Sequence, residues 1–506
     1  MLPESFLWGV SQCGFQFEMG DKLRENIDTR SDWWHWVRDP WNIENKIVSG
    51  DLPENGINNY ELYEKDHEIA KDLGLNAYRI GIEWSRIFPC PTTHIQVDHS
   101  KDSYGLIKEV RITKDIIEAL DEVANHKELE YYRKVILSLR EKGFKVILNL
   151  HHFTNPIWIH DPIVVRESGL KRGPMGWASE DTVIEFTKFA AYIAYKFGDL
   201  VDMWSTFNEP MIIVDRGYLA HNSGFPPGIF NPELAKKVAT NLIVAHARAY
   251  DVIKKFDKVK AYEDSKESAS VGIINNIIPF YPCNPNDSKD VKATERYDAF
   301  YNRMFLEAIN NGKLDTQMDG ESYVEVKHLK RNDWLGVNYY TRDLVRYKEP
   351  KEDSPVIFEK VEGYGRLSKP NSISKDGRPT SDFGWEVYPE GIYDAIFINM
   401  DYKKPIYITE NGIADAKDIL RPYYIVSHIA EIERAIENGA DVYGYLHWAL
   451  MDNYEWASGF RMRFGLYEVD LQTKERKPRR KSVQVFKEII QNNGVSEKLR
   501  KEFLKN

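Results

Sequence analysis

Cysteine is scarce. The 506-residue chain has three, Cys13, Cys90 and Cys283, set far apart. That spacing excludes a disulfide framework and points to a reducing compartment. Basic residues are outnumbered, 68 Lys and Arg against 78 Asp and Glu, for a formal net charge of -10. A nucleic-acid partner needs a basic face, so none is expected. No aliphatic run is long enough to span a bilayer. The first strand-like run begins near Phe6 and leaves no room for a leader. These absences describe a soluble, cytoplasmic protein with no membrane partner. No glycine-rich phosphate loop follows the first strand-like run, and no P-loop motif occurs, so no nucleotide cofactor is expected. His151, His152 and His160 have no metal-ligand spacing, so no metal is expected either.

What is present is apolar, charged and aromatic. Hydrophobic residues make up 42%, enough to bury a large core. The charged fraction, 29% and rich in Lys and Glu, suits a thermophile and equally an ordinary solvated surface. Aromatics reach 13%, with 13 Trp and 29 Tyr. Core packing takes up most such rings. Sugar-binding clefts are the other place where flat aromatic faces collect, because the C–H faces of a pyranose pack on them.

One junction recurs along the chain. "DHEIAKDLGLNAYRIGIEW", "VILSLREKGFKVILNLHH" and "IERAIENGADVYGYLHW" each run from a helical pattern through a glycine into an apolar run. Gly74, Gly143 and Gly439 stand where a helix C-terminus wants a left-handed residue. A helix closed in this way and followed at once by a strand is the second half of a βαβ unit. Eight strand candidates appear: "FLWGVSQ", "AYRIGIEW", "KVILNLH", "MWSTFNE", "SVGIINN", "WLGVNYY", "IYITENG" and "VYGYLHW". Most are apolar on both faces, as parallel strands are. Helical patterns separate them, among them "TVIEFTKFAAYIAYKFG", with Val183, Phe186, Ala190, Ile193, Ala194 and Phe197 on one stripe. Eight such units predict one α/β domain over residues 1–506, a closed (β/α)₈ barrel with long loops. A doubly wound sheet, the competitor, would carry the missing phosphate loop. Pro91 to Asp115, Tyr262 to Ala269 and residues 341–385 read as excursions, the second as a charged, mobile surface loop.

In a parallel barrel all strands end at one face, where active sites lie. Here they end near Gln16, Arg79, His152, Asn208 with Glu209, Asn276, Tyr340, Glu410 and Trp448. Each could be a turn or cap residue; Asn411-Gly412 after Glu410 is a common turn pair. Eight polar or stacking groups at one rim argue for a site instead. Glu209 ends the fourth strand and Glu410 the seventh, roughly across the barrel from each other. Two opposed carboxyl groups are the minimum equipment for glycoside hydrolysis, and their separation decides between retention and inversion.

"FNEP" and "TENG", with "GFQFEMG", "RIGIEWSRIFP", "GVNYYT" and "HWALMDNYEWASGFRMRFGLYEVD", resemble glycoside hydrolase family 1 from about residue 5 to 490. "VSGDLPENG", "SGFPPG" and "SDFGWE" resemble its archaeal β-glycosidase branch, and there the β-mannosidase-like members most. The resemblance implies a (β/α)₈ barrel that hydrolyses β-glycosides with retention, acting on small oligosaccharides or aryl and alkyl β-glycosides, and assembled as a homotetramer. It implies Glu410 as nucleophile, Glu209 as acid/base and Asn208 on the sugar 2-hydroxyl. Arg79 and Tyr340 would lie beside Glu410, where a cation and a phenol donor keep a carboxylate charged and aimed. Gln16, His152, Glu455 and Trp456 would recognise the innermost sugar. Trp448 would be its floor, and Trp385 would lie toward the leaving group. A carboxylate at Glu455 would repel a phosphate, which implies an unphosphorylated substrate. Where many β-glycosidases have His-Trp this chain has His152-Phe153, which keeps a ring and loses the indole donor. Phe153 either alters sugar selectivity or fills space. A sugar-binding barrel without catalysis and an enzyme that mainly transfers glycosyl groups are the other readings; intact Glu209, Glu410, Arg79 and Tyr340 argue against the first.

Overall fold

The computed structural model of the protein describes residues 2–350 and 356–504. Eight parallel strands close a barrel: β1 (Leu7–Ser11), β2 (Ala77–Gly81), β3 (Lys145–Asn149), β4 (Met203–Asn208), β5 (Ser270–Asn276), β6 (Trp334–Asn338), β7 (Ile406–Glu410) and β8 (Val442–His447). Each pairs with the next in chain order, and β8 returns to β1 with Leu7 opposite Gly444 and Val10 opposite His447. All eight expected strands are present, in the expected order.

Eight main helices lie outside: α1 (Asn59–Asp72), α2 (His126–Glu141), α3 (Asp181–Phe197), α4 (Pro232–Phe256), α5 (Ser288–Asp298), α6 (Glu390–Met400), α7 (Arg421–Glu437) and α8 (Arg480–Gln491). The stripe on α3 is fully buried from Val183 to Phe197, facing the sheet as an amphipathic helix should. Gly74, Gly143 and Gly439 close α1, α2 and α7 with φ of +88°, +84° and +94°, the left-handed turn that lets the chain reverse into the following strand. Inside the barrel, Ile147, Ile274, Trp334 and Leu446 form an apolar plug distinct from the main core. The site is built above it.

The excursions are more ordered than their polarity suggests. Pro91 to Asp115 contains an antiparallel hairpin, His99–Lys101 with Ile107–Val110. The stretch from Tyr262 to Ala269 is a turn-rich loop tied down at its start. Tyr262 donates to the Phe144 carbonyl at 3.0 Å, and Asp202 accepts from its backbone N–H at 3.0 Å. In the connection 341–385, residues 351–355 lie outside the described residues; the remainder builds a small sheet. Asp343–Tyr347 pairs with Phe358–Lys360 on one side and with Phe280–Pro282 on the other. All three cysteines are free thiols. Among the described residues no helix is long and apolar enough to cross a membrane, and no group of three His, Cys, Asp or Glu could hold a metal ion.

Candidate active site

At the C-terminal face of the barrel lies a cavity of about 390 Å³. Gln16, His152, Phe153, Asn208, Glu209, Tyr340, Trp385, Glu410, Trp448, Glu455 and Trp456 all line it. Arg79 does not. It is the third residue of β2 rather than its last, fully buried beneath the cavity, and it reaches the site through its guanidinium. Gln16 is likewise displaced from its strand end, onto a short helical turn, Gly14–Phe17.

Glu410 ends β7. One oxygen accepts from Arg79 Nη2 at 2.6 Å, the other from the Tyr340 hydroxyl at 2.6 Å. Both are charge-assisted bonds, stronger than neutral ones. Burial, and then Glu410 itself, holds the Tyr340 phenol far above its usual range, so it stays a donor. Arg79 Nη2 also lies 3.3 Å from His152 Nδ1. A guanidinium only donates, so Nδ1 accepts in that contact, and on the other side of the ring Asn208 Nδ2 lies 3.2 Å from Nε2. Burial and the neighbouring Arg79 keep this imidazole neutral.

The residues after Glu410 are a buried junction rather than a surface turn. Asn411 Nδ2 donates to the Tyr339 carbonyl at 2.8 Å and the Tyr424 hydroxyl at 2.9 Å. A Cβ on Gly412 would stand 1.7 Å from the Trp448 carbonyl oxygen. Only glycine lets the two backbones approach so closely, and that approach, with the Trp448 N–H on Asn411 O at 3.0 Å, sets Trp448 beside Glu410.

Glu209 follows β4 and caps the helix Pro210–Tyr218, which Pro210 starts with its preset φ. Its carboxyl accepts from Asn338 Nδ2 at 2.8 Å. Burial raises its pKa to about 8, with Glu410 adding to the shift, while Asn338, Arg79 and Asn276 oppose it. Two carboxyl groups in one cavity thus have opposite surroundings: one is held by a cation and a phenol, the other keeps a proton near neutrality. Glu455 is pushed to about 8 as well, by burial first and then by Glu410 and Glu209. Gln16 bonds it at 3.3 Å while also holding Asn453 and the Tyr454 carbonyl.

Phe153, Glu209 and Trp456 have φ of +71°, +50° and +46°. For residues other than glycine this left-handed region costs about 1–2 kcal/mol each, a cost the surrounding packing must offset. Phe153 has edge contacts with Phe225 (5.4 Å between centroids) and Trp456 (5.1 Å). It therefore fills space and lines the cavity at once. Trp456 stacks flat on Phe15 at 5.8 Å, and Trp385 on Phe383 at 4.6 Å, so both rings are braced from behind.

Asn338, the last residue of β6, did not stand out in the sequence. Its amide donates to Glu209 Oε1 and to Asn208 Oδ1 at 2.9 Å, and its oxygen accepts from Thr409 Oγ1 at 2.7 Å. It joins the strands that carry the two glutamates. Strand periodicity could have found it, since it lies two residues beyond Gly336 on the same face. Glu83 is a second omission. This buried carboxyl accepts from Phe15 N at 2.9 Å and Thr154 Oγ1 at 2.5 Å, tying the turn that carries Gln16 to the turn that carries Phe153.

A parallel eight-strand barrel with two carboxyl groups and stacking aromatics above its plug defines a glycoside-cleaving class. The model for "Glycosyl hydrolase family 1" matches residues 1–101 and 120–495, and the chain belongs to that family. It is 65% identical, over the whole of both chains, to a β-galactosidase from Pyrococcus woesei. The crystal structure of a β-glycosidase from the hyperthermophile Thermosphaera aggregans superposes with a TM-score of 0.90 at 41% identity, covering all of both chains. A β-glucosidase mutant described as derived from a hyperthermophilic tetrameric structure gives 0.87 at 44%, covering 99% of this chain and 98% of the other. The protein is a glycoside hydrolase of the archaeal β-glycosidase branch.

Proposed function

We propose that the protein is an exo-acting, retaining β-glycosidase for unphosphorylated β-D-glycosides. Glu410 attacks the anomeric carbon, and the Glu209 carboxyl gives its proton to the leaving oxygen. The observation that carries this reading is the contrast between them: Arg79 and Tyr340 bond both oxygens of Glu410, whereas Glu209 is pushed up to about 8. A nucleophile must be charged and an acid protonated at the same pH. Once Glu410 is esterified its charge is gone, the Glu209 pKa falls, and the same group takes a proton from water. Asn208, fixed by Asn338, meets the 2-hydroxyl. Gln16, His152, Glu455 and Trp456 bind the remaining hydroxyls over Trp448, and Trp385 lies toward the aglycone. Residues 1–506 act as one catalytic domain, in the cytoplasm. The tetramer named for the β-glucosidase relative is the assembly to expect, and light scattering that found only monomer at micromolar concentration would exclude it.

The glycone follows from Phe153. Mannose differs from glucose in an axial 2-hydroxyl, so the groups near positions 2 and 3 discriminate. Caged by Phe225 and Trp456, Phe153 offers no donor there. A hydrogen bond that suits one epimer is worth about 1–3 kcal/mol, or roughly 5- to 150-fold. We therefore expect β-mannosides to be cleaved at least as well as β-glucosides, with some β-galactoside cleavage. The test is kcat/KM for the three p-nitrophenyl β-hexosides on the wild type and on Phe153→Trp, with NMR of the first-formed anomer. An α-anomer would reject retention. A preference for glucoside above about a hundredfold, or a manno/gluco ratio that Phe153→Trp leaves unchanged, would reject the sugar assignment.

A further inference from the structure

Two sets of charged groups line the cavity. Glu209, Glu410 and Glu455 lie close enough for the first two to act on the third, and Arg216, Lys360 and Arg366 lie close enough for the two arginines to act on the lysine. The basic part lies on the Glu209 side. Helix Pro210–Tyr218 starts directly after Glu209 and turns Ile212 and Arg216, four residues apart on one face, into the cavity. The Arg366 guanidinium sits 5.9 Å from the Tyr301 ring centroid. The Tyr301 hydroxyl donates to Asn276 Oδ1 at 3.0 Å, and Asn276 in turn bonds Glu209. A leaving group departs on the side of the residue that protonates it, so the basic wall faces the aglycone.

The carboxylates that accompany these cations stand behind them. Asp343 is fully buried and does not line the cavity. It accepts from Arg366 Nε at 3.0 Å and lies 3.8 Å from Lys360 Nζ. Asp215 acts on Lys360 from close by and is likewise absent from the lining. Burial first, and then the neighbouring Arg366, pull the Lys360 ammonium down to about 8, so below that pH three cations stand against these two carboxylates among the described residues, and all three cationic residues line the cavity. The Lys360 and Arg366 side chains keep 29% and 19% of their exposure, so a ligand can reach them.

We infer that the aglycone subsite accepts an anionic aglycone, a sugar acid or other carboxylate-bearing alcohol, held by Lys360, Arg216 and Arg366. This rests on the reading of Glu209 as the acid. The glycone end, with its three carboxyl groups, rejects a negative charge that the aglycone end accepts.

The experiment compares β-linked pairs that differ only in a carboxylate against a primary alcohol: lactobionate with lactitol, and cellobionate with cellobiitol. At low ionic strength kcat/KM for the acid should exceed that for the alditol by about three- to tenfold, and the ratio should fall toward one as salt screens the charges. In Lys360→Met and in Arg216→Gln the ratio should drop by at least half; being a ratio, it is insensitive to a general loss of activity. A wild-type ratio of one or below, or one that neither salt nor either substitution lowers, overturns the proposal. Hydrolysis of an alkyl β-glycoside, whose neutral leaving alcohol needs the proton, and the fall of its kcat/KM in Glu209→Ala are read separately, so a failure of the catalytic assignment is distinguishable from a failure of the aglycone site.

Discussion

Replacing Asn338 with Ala removes one amide and three bonds, to Glu209, Asn208 and Thr409. The bond to Glu209 stabilises its ionised form, so losing it must raise the pKa further. A hydrogen bond to a charged group is worth about 1.5–3 kcal/mol, and about 1.36 kcal/mol corresponds to one pKa unit. The Asn338 amide is shared with Asn208, so the lower end applies, about one unit upward. The acid must carry its proton to work. In the wild type kcat/KM should therefore decline as pH rises through about 8; in Asn338→Ala the decline should begin about one unit higher. Asn208 also loses its anchor, and misplacement of a substrate-binding group by about an ångström costs on the order of a hundredfold, so the plateau should drop by roughly 10- to 100-fold. The assay is the pH profile of kcat/KM on a disaccharide or alkyl β-glycoside, whose leaving alcohol needs full protonation. A merely structural role would lower the plateau and leave the basic limb in place. A limb that stays put, or moves down, refutes the argument.

Glu410→Gln should lower turnover by several powers of ten with the fold unchanged by circular dichroism, because the covalent path disappears; residual activity above a few per cent would remove the nucleophile assignment. Glu209→Ala should lower kcat/KM, which reports the step in which the leaving group departs, far more for alkyl and sugar leaving groups than for dinitrophenol, which departs without a proton, and equal losses of kcat/KM on both would reject the acid role. Arg476 makes a two-pronged bond to Asp66 on α1 at 2.8 and 3.0 Å, with both side chains fully buried. Arg476→Met should cost about 3–5 kcal/mol by stranding that carboxylate. For a chain of this length that is about 3–5 °C in the apparent Tm, and a scan showing no decrease would contradict it.

Much of this molecule is legible along the chain because the barrel repeats one physical problem eight times. A strand buried on both faces must be apolar, and a helix that reverses into it needs a left-handed terminus; Gly74, Gly143 and Gly439 announce both. The two glutamates stand out for a related reason, each being a carboxyl at the end of an apolar run. Arg79 was read at a strand end and sits mid-strand, since a side chain as long as arginine's can begin well below the rim and still reach Glu410. Asn338 stayed hidden behind Tyr339 and Tyr340, whose aromatic rings extend the strand-like pattern two residues beyond the real strand. The basic wall was out of reach. Lys360 reaches the cavity from the small sheet, whose middle strand pairs Asp343, after β6, with Phe280, after β5, and Arg366 from the short turn Gly365–Leu367 that follows; local pattern encodes neither.

The seam where β8 meets β1 governs how the protein must be made. Leu7 to Val10 wait for partners that begin at Gly444, and Trp448, Glu455 and Trp456 follow later still. During synthesis the sheet grows one strand at a time with two open edges, and until the eighth strand leaves the ribosome those edges remain templates for pairing with other chains. The sugar-facing floor is also the last part to emerge. A ribosome that stalls after β7 releases a chain with both glutamates and no stacking platform beneath them. Contacts this distant in sequence close slowly. Yield in a foreign host should therefore depend on chaperone supply and on the tempo of translation over the final strand, more than on any property of the finished barrel.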